Sequence, residues 1–93
     1  MDLGLTGKVA LVTGGSEGIG KAAALSLVAE GAKATICARR EDVVNGAADE
    51  IRAVTGGEVL AVSADVSTAE GVQKVIDATL SQFGRLDILV NNA

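Results

Sequence analysis

Four glycines lie within seven positions of the segment VTGGSEGIGKAA, which spans residues 12–23. They occupy positions 14, 15, 18 and 20. Glycine lets a backbone approach a phosphate closely, and the start of a helix supplies unpaired N–H groups that bind it. The segment therefore indicates a phosphate-binding turn, since a simple tight turn would need only one or two of these glycines.

Two kinds of phosphate site are compatible with this segment. Gly15, Gly20 and Lys21 have most of the spacing of a P-loop, the phosphate-binding turn of nucleotide hydrolases. That motif needs a serine or threonine after the lysine to hold Mg²⁺, and here the next residue is Ala22. A P-loop-like nucleotide hydrolase is therefore the weaker hypothesis, and a dinucleotide cradle with the spacing G-x-x-x-G-x-G is favoured.

The composition excludes several other chemistries. The 93 residues include no histidine and a single cysteine, Cys37, which rules out histidine bases, internal disulfides and zinc clusters. We predict no metal site, and we expect Cys37 to pack inside a strand. The net charge of −4 lacks the basic footprint of a nucleic-acid partner. No apolar run approaches the ~18 residues of a membrane span, so we expect a cytoplasmic protein that contacts neither nucleic acid nor membrane.

Strand and helix signals alternate along the chain. Short apolar runs predict strands over 8–13, 33–38, 58–65 and 86–90. Helical spacing predicts helices over 19–30 and 41–55, and glycine follows each of them. Ser67 and Glu70 have the spacing of a capping box, which predicts the start of a third helix that Gly84 ends.

Each predicted helix has an apolar face for burial. The faces are Ile19, Ala23 and Leu27 in the first helix, Val44, Ala48, Ile51 and Thr55 in the second, and Val72, Val75, Ile76, Thr79, Leu80 and Phe83 in the third. The strands are continuously apolar, which is typical of a sheet that helices cover on both faces.

The element order β-α-β-α-β-α-β predicts a parallel sheet with right-handed crossovers. We expect the strand order 3-2-1-4, in a partial, three-layer, Rossmann-type doubly wound α/β fold. Residues 1–93 would form the N-terminal part of one such domain, because the fourth strand is left as an open edge that further strands would cover. Ligands bind such sheets outside the carboxyl ends of the strands, here at 13–20, 38–40, 65–66 and 91–93.

Three segments in the right order resemble the short-chain dehydrogenase/reductase family. They are TGGSEGIG at 13–20, ADVS at 64–67 and DILVNNA at 87–93, and residues 6–93 as a whole are similar to that family. The resemblance implies an oxidoreductase that transfers hydride between a nicotinamide dinucleotide and a small carbonyl or alcohol substrate, and that forms a homo-oligomer when complete. The family's proton donor is a tyrosine, and this chain has none. We therefore predict no catalytic residue within it and expect the 93 residues to be inactive alone.

The same resemblance implies a set of cofactor-binding residues. Asp65 would contact the adenine amino group, and the backbone of Val66 would line the adenine site. The last three residues would brace the sheet and line the cofactor site. The complete predicted set is Gly14, Ser16, Gly18, Ile19, Gly20, Arg39, Arg40, Asp65, Val66, Asn91, Asn92 and Ala93.

The end of the second predicted strand indicates which dinucleotide is bound. An acidic residue there would bind the ribose hydroxyls and repel a 2′-phosphate. The chain instead has Ala38 followed by Arg39 and Arg40, and a guanidinium makes forked, charge-assisted contacts to phosphate. We predict NADP(H) in preference to NAD(H), with Arg39 as the main contact. Glu17 departs from this pattern, since some NADP-preferring relatives carry a basic residue there.

Other interpretations stay open at this point. The two arginines could be a solvated pair beside acidic neighbours, Asp65 could serve only as a local cap, and Asn91 and Asn92 could form a purely structural turn. A non-catalytic dinucleotide-binding or redox-sensing module on the same scaffold is the main alternative function.

Overall fold

Strands and helices alternate strictly over residues 4–92, the part of the chain that the computed structural model describes. The strands are β1 (Val9–Thr13), β2 (Lys33–Ala38), β3 (Val59–Ser63) and β4 (Ile88–Asn91). The helices are α1 (Gly18–Ala29), α2 (Glu41–Thr55) and α3 (Ala69–Phe83). All strand pairs are parallel and their order is β3-β2-β1-β4, which confirms the predicted Rossmann-type arrangement.

The sheet is covered on both faces, so the structure has three layers. Residues of β1 and β2 alternate between the faces, because successive side chains of a strand point to opposite sides. One face packs against α1 and α2, with a core of Val12, Ala24, Val28, Ala34, Ile36, Val44, Ala47, Ala48, Ile51 and Val59. The other face packs against α3, with a smaller core of Leu11, Cys37, Val62 and Val75.

Register brings the carboxyl ends of the strands together at one edge of the sheet. Thr13, the last residue of β1, lies opposite Cys37 of β2 on one side and Asn91 of β4 on the other. Ser63 in turn lies opposite Ala38, where β2 and β3 end together. The residues that follow these strand ends therefore meet along a single edge, as the sequence predicts.

The buried face of α1 differs from the predicted one. Gly20, Ala24 and Val28 are buried, whereas Ile19 is 80% exposed. The first turn of α1 packs closely on the turn after β1 and on the end of β4. A Cβ at Gly20 would press on the Gly14 carbonyl oxygen and would lie only 2.8 Å from the Asn92 Nδ2 atom. Only the residue without a side chain can occupy that contact, so the face that begins with Gly20 turns toward the sheet and Ile19 turns outward.

The end of β3 and the start of α3 also differ from the prediction. β3 ends at Ser63 rather than at Asp65, because β2 leaves the sheet after Ala38 and offers no further partner. The N-cap of α3 is Thr68, whose hydroxyl accepts a hydrogen bond from the Gly71 N–H at 3.0 Å. Ser67 does not cap the helix, because its own hydroxyl donates to the Asp65 carboxylate at 2.6 Å. The predicted capping box is therefore wrong by one residue.

The other helix predictions hold with one exception. In α2 the predicted positions Val44, Ala48 and Ile51 are buried. Glycines in the left-handed conformation end α2 and α3, at Gly56 and Gly84. The exception is the stripe of α3: its Val75 and Thr79 are buried, but Val72 and Leu80 are 41% and 44% exposed.

Candidate functional site

A groove of about 630 Å³ runs along the carboxyl edge of the sheet. It is lined by residues from the ends of all four strands: Thr13, Gly14, Cys37, Ala38, Arg39, Ala64, Asp65, Val66, Ser67, Asn91 and Asn92. The structure thereby brings together six of the predicted site residues, namely Gly14, Arg39, Asp65, Val66, Asn91 and Asn92. Of the remaining predicted residues, Ala93 lies outside the part of the chain that the structure describes.

The turn after β1 is closed on one side and open on the other. Gly14 has a φ of +67°, and a Cβ there would lie 2.6 Å from the Asn92 carbonyl oxygen. Gly18 has a φ of +57°, and a Cβ there would meet nothing within 4 Å. Glycine at position 14 therefore permits the contact with the end of β4. Glycine at position 18 leaves the outer surface of the turn bare, which suits close approach by a phosphate.

The N-terminus of α1 has no side-chain cap among residues 4–92. Its N-cap residue is Glu17, in an extended conformation, and the first turn contains no acidic side chain. Helix α3 differs, because Thr68 caps it. The first N–H groups of α1 are consequently free of a competing side-chain acceptor, as binding of a phosphate requires. Ser16 is half-buried in the turn that leads to them, next to this N-terminus.

Lys21 does not point into the phosphate-binding turn as a P-loop lysine would. Its ammonium group forms an ion pair with Glu50, which ties α1 to α2. In a P-loop the lysine instead reaches the β- and γ-phosphates. This arrangement, together with Ala22 in place of a Mg²⁺-binding hydroxyl, disfavours a nucleotide hydrolase.

Thr13 links the ends of β1 and β4, a role that sequence reasoning did not identify. Its hydroxyl donates to the Asn91 Oδ1 atom at 3.0 Å and accepts from the Asn92 backbone N–H at 3.0 Å. These bonds brace the two strand ends and set the position of Asn92 beside Gly14. The position of this threonine immediately before the glycine turn is the only sequence signal that could have suggested the role.

The two adjacent arginines occupy different environments. Arg40 is the N-cap of α2, and its guanidinium forms an ion pair with Asp42 at 2.9 Å. Arg39 lines the groove and, within the described range 4–92, its guanidinium makes no hydrogen bond or ion pair. Arg39 is thus the cation that the structure leaves available at the end of β2, whereas Arg40 is turned toward its own helix.

Asp65 lines the same groove as Arg39. One oxygen of its carboxylate accepts hydrogen bonds from the Ser67 N–H and hydroxyl, at 3.0 and 2.6 Å. These two bonds, with a smaller contribution from the positive charge of Arg39, lower the pKa of Asp65 below its ordinary value. The carboxylate is therefore ionised at neutral pH. Its other oxygen, Oδ2, accepts no hydrogen bond from any of residues 4–92.

The thiol of Cys37 lies under the groove and is buried. Burial raises its pKa, although a hydrogen bond from the backbone of Gly14 opposes this rise. A protonated, buried thiol is a poor nucleophile, so Cys37 itself is unsuited to thiol-based redox chemistry. Among residues 4–92 no group of three potential metal ligands comes together, and none of the helices described there could cross a bilayer.

The fold and the groove together define a class of protein. A parallel sheet in the order β3-β2-β1-β4 reverses its winding between β1 and β4, and a glycine turn leading into α1 lies at this switch point. That combination is the dinucleotide-binding half of a Rossmann fold.

Comparison with known proteins assigns the chain within that class. Residues 8–93 match the family model for short chain dehydrogenases, so the chain belongs to this family. It is 44% identical over 89 residues to 11-beta-hydroxysteroid dehydrogenase-like 2 of Arabidopsis thaliana, covering 96% of the chain and 29% of that protein. It is 49% identical over 90 residues to a 3-oxoacyl-[acyl-carrier-protein] reductase of Synechocystis, covering 96% of the chain and 36% of that protein.

A solved structure agrees closely with this assignment. L-sorbose reductase from Gluconobacter frateurii, complexed with NADPH and L-sorbose, matches with a TM-score of 0.95 and 47% sequence identity. The match covers all of this chain and 35% of the reductase. The chain thus spans about a third of the length of these relatives.

Proposed function

We propose that this chain is the NADP(H)-binding portion of an oxidoreductase that acts on a small carbonyl or alcohol substrate. When bound, the nicotinamide ring would supply or accept the hydride. The residues of this chain would hold and orient the dinucleotide, and they include no tyrosine to serve as the family's proton donor. The proposal is supported by the family assignment and by the NADPH-bound L-sorbose reductase structure.

One observation carries the preference for the phosphorylated dinucleotide. At the end of β2, where an acid would bind the adenosine ribose, the chain has Ala38 and then Arg39 with an unpaired guanidinium at the groove. A 2′-phosphate placed there would gain a charge-assisted hydrogen bond, and it would meet no carboxylate on the same strand end. The nearby negative charge of Asp65 is partly balanced by Arg39 itself.

The other predicted site residues are assigned to the remaining parts of the cofactor. The pyrophosphate would bind the glycine turn and the uncapped start of α1, with Gly18 giving it room and Ser16 and Ile19 on either side. Asp65, through its free Oδ2 atom, and the backbone of Val66 would bind the adenine. Asn92 and its two neighbours would line the path toward the nicotinamide.

Substitution of Arg39 tests this function, and Arg40 provides a matched control. The two arginines are adjacent and equally charged, but only Arg39 lines the groove. Binding of NADP⁺ and NAD⁺ is to be measured by titration calorimetry with the protein at its full encoded length. In Arg39→Ala the affinity for NADP⁺ relative to NAD⁺ should fall by about tenfold or more, the effect of one hydrogen bond to a charged group.

In Arg40→Ala the same ratio should change by less than about threefold, because an exposed ion pair on another element contributes little. An unchanged ratio in Arg39→Ala would contradict the assignment of NADP(H). Equal losses in both variants would show that general charge, rather than a specific contact, attracts the cofactor. The proposal extends to a cytoplasmic location and a homo-oligomeric state, which cell fractionation and analytical ultracentrifugation test.

A further inference from the structure

The side chain of Ser63 fastens the segment that carries Arg39. Ser63 is the last residue of β3, and its hydroxyl donates to the Arg39 carbonyl oxygen at 2.8 Å. The preceding carbonyl, that of Ala38, accepts the Ala64 N–H at 2.9 Å. Two successive carbonyls at the end of β2 are therefore tied to β3, one by the backbone and one by a side chain.

The tie at Ser63 is itself secured from the third layer. The Lys74 ammonium of α3 donates to the Ser63 carbonyl oxygen at 2.6 Å. A continuous set of bonds thus runs from α3 through the end of β3 to the backbone of Arg39. The guanidinium of Arg39 makes no hydrogen bond or ion pair within residues 4–92, so its position depends on where this backbone is held.

We propose that Ser63 is a specificity-determining positioning residue, whose hydroxyl holds Arg39 where its guanidinium meets the 2′-phosphate of the cofactor. This inference rests on the proposed NADP(H) preference. Ser63 is not among the residues that line the groove, so its effect on the cofactor would be exerted through Arg39. Without the hydroxyl, the Arg39 carbonyl would turn to water, and the segment between β2 and α2 would gain freedom that binding must remove.

The test is a comparison of Ser63→Ala with Ser63→Thr, which keeps the hydroxyl. The ligands are 2′,5′-ADP and 5′-AMP, which differ only by the 2′-phosphate, and binding is measured on the protein at its full encoded length. In Ser63→Ala the affinity ratio of 2′,5′-ADP to 5′-AMP should fall by about two- to tenfold, the range expected for one ordinary hydrogen bond. Ser63→Thr should restore most of the ratio.

A double variant separates positioning from a merely structural role. If Ser63 acts through Arg39, then the double variant Ser63→Ala/Arg39→Ala should have the same affinity ratio as Arg39→Ala alone. A further fall in the double variant, or a ratio in Ser63→Ala equal to that of the wild type, would overturn the inference. A ratio that Arg39→Ala leaves unchanged would instead refute the proposed NADP(H) preference, so the two failures are distinguishable. The melting temperature of each variant shows whether the fold is retained.

Discussion

Two buried threonines form a hydrogen-bonded pair between the sheet and α3, and their replacement should be strongly non-additive. Thr35 of β2 and Thr79 of α3 are both fully buried, with their hydroxyl oxygens 2.9 Å apart. The Thr79 hydroxyl also lies 2.8 Å from the Val75 carbonyl oxygen, to which it donates. A hydroxyl has one hydrogen, so Thr35 must be the donor within the pair.

This assignment of protons determines the size of each effect. Thr79→Val removes the acceptor of the Thr35 hydroxyl and leaves a buried donor without a partner, at a cost of about 1–3 kcal/mol. Thr35→Val leaves Thr79 bonded to its own helix and removes one ordinary hydrogen bond, at a cost of about 0.5–1.5 kcal/mol. With valine at both positions no polar group is stranded and the shape is kept, so the double variant should be close to neutral.

Urea denaturation of the wild type and the three variants tests this ordering. The free energies of unfolding are comparable only if the m-values agree, which is the internal control. The expected order of destabilisation is Thr79→Val, then Thr35→Val, then the double variant. A double variant destabilised by the sum of the two single changes would refute the reasoning, because it would mean that the hydroxyls do not depend on each other.

Two further predictions concern the start of β4 and the glycines of the helices. The Asp87 carboxylate accepts the Val9 N–H at 2.9 Å, and the hydrogen bond from Arg85 is the chief cause of its lowered pKa. The resulting stabilisation of the fold should be fully present above pH 3.8, the ordinary pKa of the group. It should be lost as the pH falls through the lower pKa of the folded state. Asp87→Asn should therefore show a smaller drop in urea midpoint on acidification, and a drop equal to that of the wild type would contradict this. Gly20→Ala should lower the melting temperature sharply, because its Cβ would press on the Gly14 carbonyl oxygen and on the Asn92 side chain. Gly46→Ala, at an open site within α2, should instead stabilise the protein by about 0.5–1 kcal/mol, and similar melting temperatures for the two variants would argue against the close contact at position 20.

Much of the fold could be predicted because its signals are local. Glycines that end helices, such as Gly84, and apolar runs of strand length mark each element in the sequence itself. Strand order follows from connection rules once the elements are known, and it brings Arg39 and Asp65 to one edge of the sheet. For this reason the outline of the groove was predictable without coordinates.

The incorrect details depend on contacts between distant parts of the chain. The outward turn of Ile19 follows from the contact of Gly20 with the Gly14 backbone and with Asn92 after β4, which no local pattern reveals. Thr68 rather than Ser67 caps α3, because the Ser67 hydroxyl donates its hydrogen bond to the Asp65 carboxylate. Adjacent hydroxyl residues offer two equivalent caps to a local rule, and only the three-dimensional neighbours decide between them. The hydrogen bond from the Ser63 hydroxyl to the Arg39 carbonyl oxygen likewise could not be predicted from the sequence, because the two residues are far apart in the chain.

The bond between Thr13 and Asn91 joins residues 78 positions apart in the chain. The groove is built on such pairings, so it exists only while β1 is paired with both of its neighbours, and it disappears when the sheet opens. Any ligand that binds across it therefore shifts the folding equilibrium of the whole sheet, by about 2.7 kcal/mol at a concentration one hundred times its dissociation constant. Proteolysis of a protein that opens rapidly and reversibly follows the population of the open form. The lifetime of this protein in the cell should consequently increase and decrease with the concentration of the ligand that binds in the groove.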